Sequence, residues 1–142
     1  MSKNESNSNE TESTQNFADA LVTPDASGLS SAELAAVSAL PSGHALLIVK
    51  RGYEEGSRFL LDTDLTTIGR HPKADIFLDD VTVSRRHAEF VRTGKNFRVR
   101  DLASLNGTYY NGSRVDEVLL EDGAEIQVGK FKLTFCASKA DI

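Results

Sequence analysis

Tryptophan is missing from this chain of 142 residues, and cysteine occurs once. A single thiol, Cys136, can form neither an internal disulfide nor a zinc site, which points to a reducing compartment and a fold held by its core. Its plain reading is a half-buried strand residue near the C-terminus. His44, His71 and His87 are too far apart in sequence to show metal-ligand spacing, so no metal and no other cofactor is expected. No apolar run approaches the roughly 20 residues that span a bilayer, and the opening MSKNESNSNE has no apolar signal core. A cytoplasmic protein without membrane attachment is expected. An excess of positive charge is lacking too. The formal charge is −5, and a chain that grips nucleic acid wants a basic face.

That negative charge is unevenly spread. Residues 1–44 carry one lysine against six acidic side chains, whereas residues 45–142 carry 15 basic and 15 acidic ones. The first 28 residues are rich in Ser, Asn, Thr and Glu, a composition that cannot bury enough surface to offset its ordering entropy. The expectation is therefore a disordered acidic tail over residues 1–44, followed by one domain over residues 45–142. Within the tail, LSSAELAAVSAL carries helix signals. Ser30 and Glu33 have capping-box spacing, and Leu29 with Leu34 has the spacing of a hydrophobic staple, which predicts a short helix within 29–40.

From Ala45 the hydrophobic period changes to 2. HALLIVK reads as a nearly continuous apolar strand. In NFRVRD, Phe97 and Val99 alternate with Arg98 and Arg100. In EIQVGKFKLTF the apolar set is Ile126 and Val128, then Phe131, Leu133 and Phe135, so the phase slips at Gly129-Lys130 and demands a turn or bulge there. Turn signals recur in RGYEEG, HPKAD, RTGKN, LNG, YNG and LEDG, two of them Asn-Gly pairs suited to positive φ. Many short strands without intervening helices predict an all-β antiparallel sandwich.

Loops of a sandwich gather at its ends. TIGRHPKADI, VTVSRRHAEF and DLASLNGTYYNG would bring Arg70, Ser84, Arg85, Arg86, His87 and Asn106 to one such end. A Ser84–His87 nucleophile pair lacks an orienting carboxylate in register and the G-x-S-x-G pattern, so an enzyme is not expected. Nucleic acid is disfavoured because Asp79, Asp80 and Glu89 flank the arginines and no aromatic series accompanies them. A small dianion suits the set better. Guanidinium and hydroxyl groups converging from several loops are what a phosphate ester needs, and an asparagine beside them can hold a peptide backbone.

Gly69-Arg70, Ser84-Arg85-Arg86-His87 and Asn106-Gly107 resemble the spaced signature of forkhead-associated (FHA) domains, over about residues 45–136. These are β-sandwich modules that read phosphothreonine peptides. The resemblance implies that Arg70 and Ser84 bond the phosphate, that Arg85 supports the phosphate or the ligand backbone, and that Asn106 bonds the ligand backbone. It implies structural support from His87, with Gly69 and Gly107 as permissive turn positions. Leu105 departs from the pattern, since many relatives carry a small polar residue there; any phosphate contact at 105 would then come from its backbone N–H.

KRGYEEGSRFLLD, GRHPKADIFLDDVTVSRRHAEF, SLNGTYYN and DGAEIQVGKF further resemble the actinobacterial family of glycogen accumulation regulators and oxoglutarate dehydrogenase inhibitors. The family's tail carries two adjacent threonines followed by a phenylalanine. Here ESTQNF keeps one, Thr14, with Phe17 three residues on, while Ser13 stands in the other place and Thr11 is a possible replacement. The resemblance implies a monomeric switch. The free domain would bind and inhibit the 2-oxoglutarate dehydrogenase E1 component, and would bind glutamate dehydrogenase and glutamate synthase. A Ser/Thr protein kinase would phosphorylate the tail, which would then occupy its own domain. About 30 residues of unstructured chain span roughly 30 Å, giving a tethered concentration on the order of 1 mM. Against an affinity of about 1 μM, that closes the switch by about a thousand to one. The rival expectation is a plain phosphopeptide adaptor with an inert tail.

Overall fold

The computed structural model describes residues 28–52 and 56–142. The sites expected in the tail, Thr11, Thr14 and Phe17, therefore lie outside the described residues. A helix α1 (Ser31–Ser38) forms within the expected window. It starts with the reciprocal bonds of a capping box: the Glu33 N–H donates to Ser30 Oγ at 3.1 Å and the Ser30 N–H donates to Glu33 Oε1 at 3.0 Å.

Strands follow in the order β1 (Ala45–Arg51), β2 (Arg58–Leu61), β3 (Leu65–Gly69), β4 (Ile76–Phe77), β5 (Ala88–Thr93) and β6 (Asn96–Asp101). Then come β7 (Thr108–Tyr110), β8 (Ser113–Val115), β9 (Glu117–Leu119), β10 (Glu125–Val128), β11 (Phe131–Ala137) and a final 3-10 turn, Lys139–Asp141. One sheet has the order β2-β1-β11-β10-β7-β8 and the other β4-β3-β5-β6-β9. The two-sheet all-β architecture is as expected, with one correction. β3 and β4 pair parallel, Ile68 with Ile76 and Gly69 with Phe77, so the second sheet is mixed. The chain leaves β3, makes a short excursion through residues 70–75, and returns in the same direction.

The inward faces of both sheets make the core. Leu47, Ile68, Phe90, Val99, Ile126, Leu133 and Phe135 are all buried, and Phe97 meets Phe135 edge to face with ring centroids 5.7 Å apart. In β6, Phe97 and Val99 are buried while Arg98 and Arg100 are exposed, as the alternation predicts. β1 differs. Leu46 and Ile48 are buried as well as Leu47 and Val49, and a strand covered on both faces reads as an unbroken apolar run.

The predicted phase slip resolves into a hairpin. Val128 pairs with Phe131, leaving Gly129-Lys130 as the two-residue turn, with Gly129 at φ +59°. Asn111-Gly112 makes the equivalent turn between β7 and β8, at φ +48° and +90°. Residues 40–43 are bonded to the C-terminus: Ser138 Oγ donates to the Leu40 carbonyl at 3.0 Å, and the Gly43 N–H donates to Asp141 Oδ2 at 2.7 Å.

Candidate functional site

Three loops at one end of the sandwich carry the residues singled out by sequence. Arg70 opens the β3–β4 loop, Ser84 and Arg85 lie in the β4–β5 loop, and Asn106 lies in the β6–β7 loop. Direct bonds hold the three together. The Arg70 N–H donates to the Ser84 carbonyl at 3.0 Å, and Arg70 Nε donates to the Val83 carbonyl at 3.0 Å. With Nε anchored, the two terminal nitrogens of the guanidinium remain as donors. Asn106 Nδ2 donates to the Thr82 carbonyl at 2.9 Å, which fixes the amide and leaves its oxygen and second N–H available.

Ser84 is the hinge of the arrangement. Its Oγ accepts the Leu105 N–H at 2.9 Å, so the hydroxyl is oriented by a bond to its oxygen and keeps its own hydrogen to donate. Leu105 is a neighbour of the site and not one of its expected ligand contacts. Its N–H is committed to Ser84 Oγ rather than offered to a phosphate, and its side chain is 84% exposed. Arg85 and Arg86 are exposed. Among the described residues, Arg70, Lys73, Arg85, Arg86 and Arg114 have no carboxylate partner, whereas Arg92, Lys95, Arg100, Lys130 and Lys132 do.

Beneath this surface lies a buried polar chain. His87 is fully buried. Its Nδ1 accepts the Ser84 N–H at 3.0 Å, so Nε2 carries the proton and donates to the Gly107 carbonyl at 2.9 Å. Burial pushes the imidazole below its ordinary value against the opposing pull of the Gly107 carbonyl and Asp101, which keeps it neutral. The lone pair a catalytic base would need is already occupied by a backbone N–H. The Ser84 hydroxyl and His87 are not a nucleophile–base pair.

The chain continues through the β6–β7 loop. The Gly107 N–H donates to Ser104 Oγ at 3.0 Å, and Ser104 Oγ in turn donates to Asp101 Oδ1, which also receives Thr108 Oγ1 at 2.8 Å. Burial opposes the Asp101 charge, but these donors outweigh it and hold the carboxyl below the ordinary range. Ala103, inside this turn, sits at φ +57°, a left-handed conformation uncommon outside glycine and asparagine, and the Asp101–Ser104 bonds bracket it.

The two glycines have different reasons to be there. Gly107 adopts φ +84°, the permissive role expected of it. Gly69 is corrected: no positive φ marks it, but a Cβ would stand 2.2 Å from the Arg85 carbonyl oxygen, so it serves close approach of two backbones. A second clamp escaped the sequence reading. Thr82 gives its carbonyl to Asn106 while its Oγ1 accepts the Lys130 N–H at 2.9 Å from the β10–β11 turn. Asp80 accepts from both the N–H and the hydroxyl of Thr82 and pairs with Lys130 Nζ at 3.0 Å. The D-x-T spacing of Asp80 and Thr82, a local turn signal, is the clue that could have exposed it.

The FHA domain family matches residues 66–129. The chain is 57% identical over 119 residues to the glycogen accumulation regulator GarA of Mycolicibacterium smegmatis, covering 84% of this chain and 75% of that one. It belongs to this family of FHA-domain regulators. The oxoglutarate dehydrogenase inhibitor of Corynebacterium jeikeium is 60% identical over 101 residues, covering 71% of this chain and 70% of that protein. Among solved structures, Mycobacterium tuberculosis EmbR in complex with a low-affinity phosphopeptide superposes with a TM-score of 0.63 at 36% identity, over 67% of this chain and 24% of that one. Among the described residues no helix is long and apolar enough to cross a membrane, and no cluster of His, Cys, Asp and Glu could hold a metal ion.

Proposed function

We propose that this protein is a phosphothreonine-binding regulator that inhibits the 2-oxoglutarate dehydrogenase E1 component. In this reading it also binds glutamate dehydrogenase and glutamate synthase, and is switched off when its own phosphorylated tail fills the FHA site. The observation that carries the binding half is the convergence of three loops on one set of spare donors. Ser84 keeps its hydroxyl hydrogen, Arg70 keeps its terminal nitrogens, and both are fixed by bonds to their other atoms. Charge-assisted bonds from donors already held in place lose little ordering entropy on binding. Asn106, anchored to Thr82, then holds the ligand backbone, and the exposed Arg85 adds positive charge.

The regulatory half is supported by the names of the relatives and by the sequence of the tail, where Thr14 is the preferred phosphoacceptor and Thr11 the second. An open cleft of about 410 Å³ adjoins Asn106, bounded by Thr82, Tyr109, Gln127 and Lys130. It offers a place for Phe17, three residues after Thr14.

The deciding experiment is treatment of the full chain with a Ser/Thr protein kinase, mass mapping of the tail, and NMR of the three loops. Stoichiometric phosphate on Thr14 is expected to shift the Arg70, Ser84 and Asn106 signals, and Arg70→Ala is expected to abolish the shift. Unchanged loop signals would exclude the switch. Retrieval of oxoglutarate dehydrogenase by unphosphorylated protein would then separate this regulator from a plain phosphopeptide adaptor, which retrieves phosphoproteins alone.

A further inference from the structure

A second cleft, of about 270 Å³, opens on the other side of the β4–β5 loop. Arg85 and Arg86 form one wall, His71 and Lys73 of the β3–β4 loop form the other, and Leu102 contributes apolar lining. Lys73, Arg85 and Arg86 have no carboxylate partner among the described residues. The Lys73 N–H donates to His71 Nδ1 at 3.0 Å, so the ring's donor is its Nε2–H, left for something else. Glu89 also borders the cleft, and its charge is offset by Arg100, which bonds one carboxylate oxygen at 2.8 Å. The cleft is thus largely apolar within, through Ile68, Ala74, Ala88 and Leu102, and is bordered by the unmatched cations Lys73, Arg85 and Arg86. It shares one wall with the loop that holds Ser84, so it continues the ligand surface.

Resting on the phosphothreonine reading above, we propose that this cleft is a second anion subsite, which takes an acidic side chain of the ligand within about three residues of its phosphothreonine. Each residue of extended ligand advances about 3.4 Å, so a neighbour one or two positions away can leave the Ser84 side of the loop and reach the Lys73–Arg86 side. The tail of this chain supplies the complementary charge at that spacing. Glu12 precedes Thr14 by two residues, and no acidic residue follows Thr14 before Asp19. Part of the selectivity of the regulator therefore comes from a carboxylate, read by Lys73 and Arg86 and separate from the phosphate.

The test uses the full-length protein and a labelled peptide of residues 8–19 phosphorylated on Thr14, with affinity read by fluorescence anisotropy. Glu12→Gln in the peptide is expected to weaken binding about threefold to fivefold on the parent protein, the size of a partly exposed ion pair. On protein carrying Lys73→Ala and Arg86→Ala, the same peptide change is expected to cost nothing. A peptide with Glu12→Lys should regain affinity on Lys73→Glu protein. Equal binding of the two peptides to the parent, or an equal loss on parent and variant, overturns the subsite while leaving the phosphothreonine reading intact. If the phosphopeptide fails to bind, or binds Arg70→Ala equally well, that underlying reading falls and the subsite falls with it.

Discussion

The loop end of the sandwich has two layers with opposite chemistry. The inner layer, Asp101, Ser104, Gly107 and His87, is saturated: each polar side chain there is matched to donors or acceptors within the protein. The outer layer, Arg70, Ser84 and Asn106, is unsaturated by design of its bonds. Each is tied by one atom and keeps others for a ligand. The difference separates two jobs that a list of polar residues would merge. Saturation makes the inner layer a rigid base, because a buried polar group without a partner is costly. Unsaturation makes the outer layer a receptor, whose donors are oriented before the ligand arrives.

Breaking the inner layer has the largest expected effect. His87→Ala strands the Ser84 N–H and the Gly107 carbonyl in a buried place and leaves a cavity, which together cost about 3 kcal/mol of folding stability. Chemical denaturation is the measurement, with an unchanged m-value expected. Loss of phosphopeptide affinity without loss of stability would reverse the assignment of His87 to the base. Arg70→Ala tests the outer layer and should do the opposite. Affinity for a phosphothreonine peptide falls about a hundredfold in calorimetry, equivalent to about 2.7 kcal/mol, while the denaturation midpoint barely moves, since an exposed side chain anchored by one bond adds little to stability.

The same division explains what the sequence made legible. Arg70, Ser84 and Asn106 could be picked out because charged and hydroxyl residues in turns, away from the period-2 strands, stand out locally. The base could not. Asn106 meets Thr82 across 24 residues and Lys130 meets Thr82 across 48, pairings that no local pattern encodes. Ser104 and Thr108 read as ordinary turn and strand residues until Asp101 is seen between them. Gly69 belongs with them: its neighbour in space is the Arg85 carbonyl, invisible in the chain order, and the turn role that the family pattern implies does not show this close approach. The strands followed the opposite rule. β6, β10 and β11 carry alternation strong enough to be read alone, whereas the two-residue β4, with its parallel pairing, has too few residues to show any period.

The smallest effect, and the finest test of the two-layer division, lies at the clamp between them. Asp80 holds Thr82, and Thr82 holds Asn106, so a change at Asp80 should reach the receptor only through its support. The hydroxyl and N–H of Thr82, then Lys130, lower the Asp80 carboxyl from 3.8 to about 2. A carboxylate lowered in the folded state gives stability that is fully present above its unfolded value near 3.8 and is lost as the pH falls through about 2. Asp80→Asn removes that contribution at every pH. Stability of parent and variant should therefore differ by a constant amount above pH 3.8, and the gap should close between 3.8 and about 2. Denaturation curves of both proteins across that window measure it, and the difference cancels the titration of the other carboxylates. The Asn106 amide signals should move as the pH falls through about 2 in the parent and stay still in Asp80→Asn. A gap that closes near pH 6 instead would mean that the clamp depends on another titrating group, and the base would then not be independent of it.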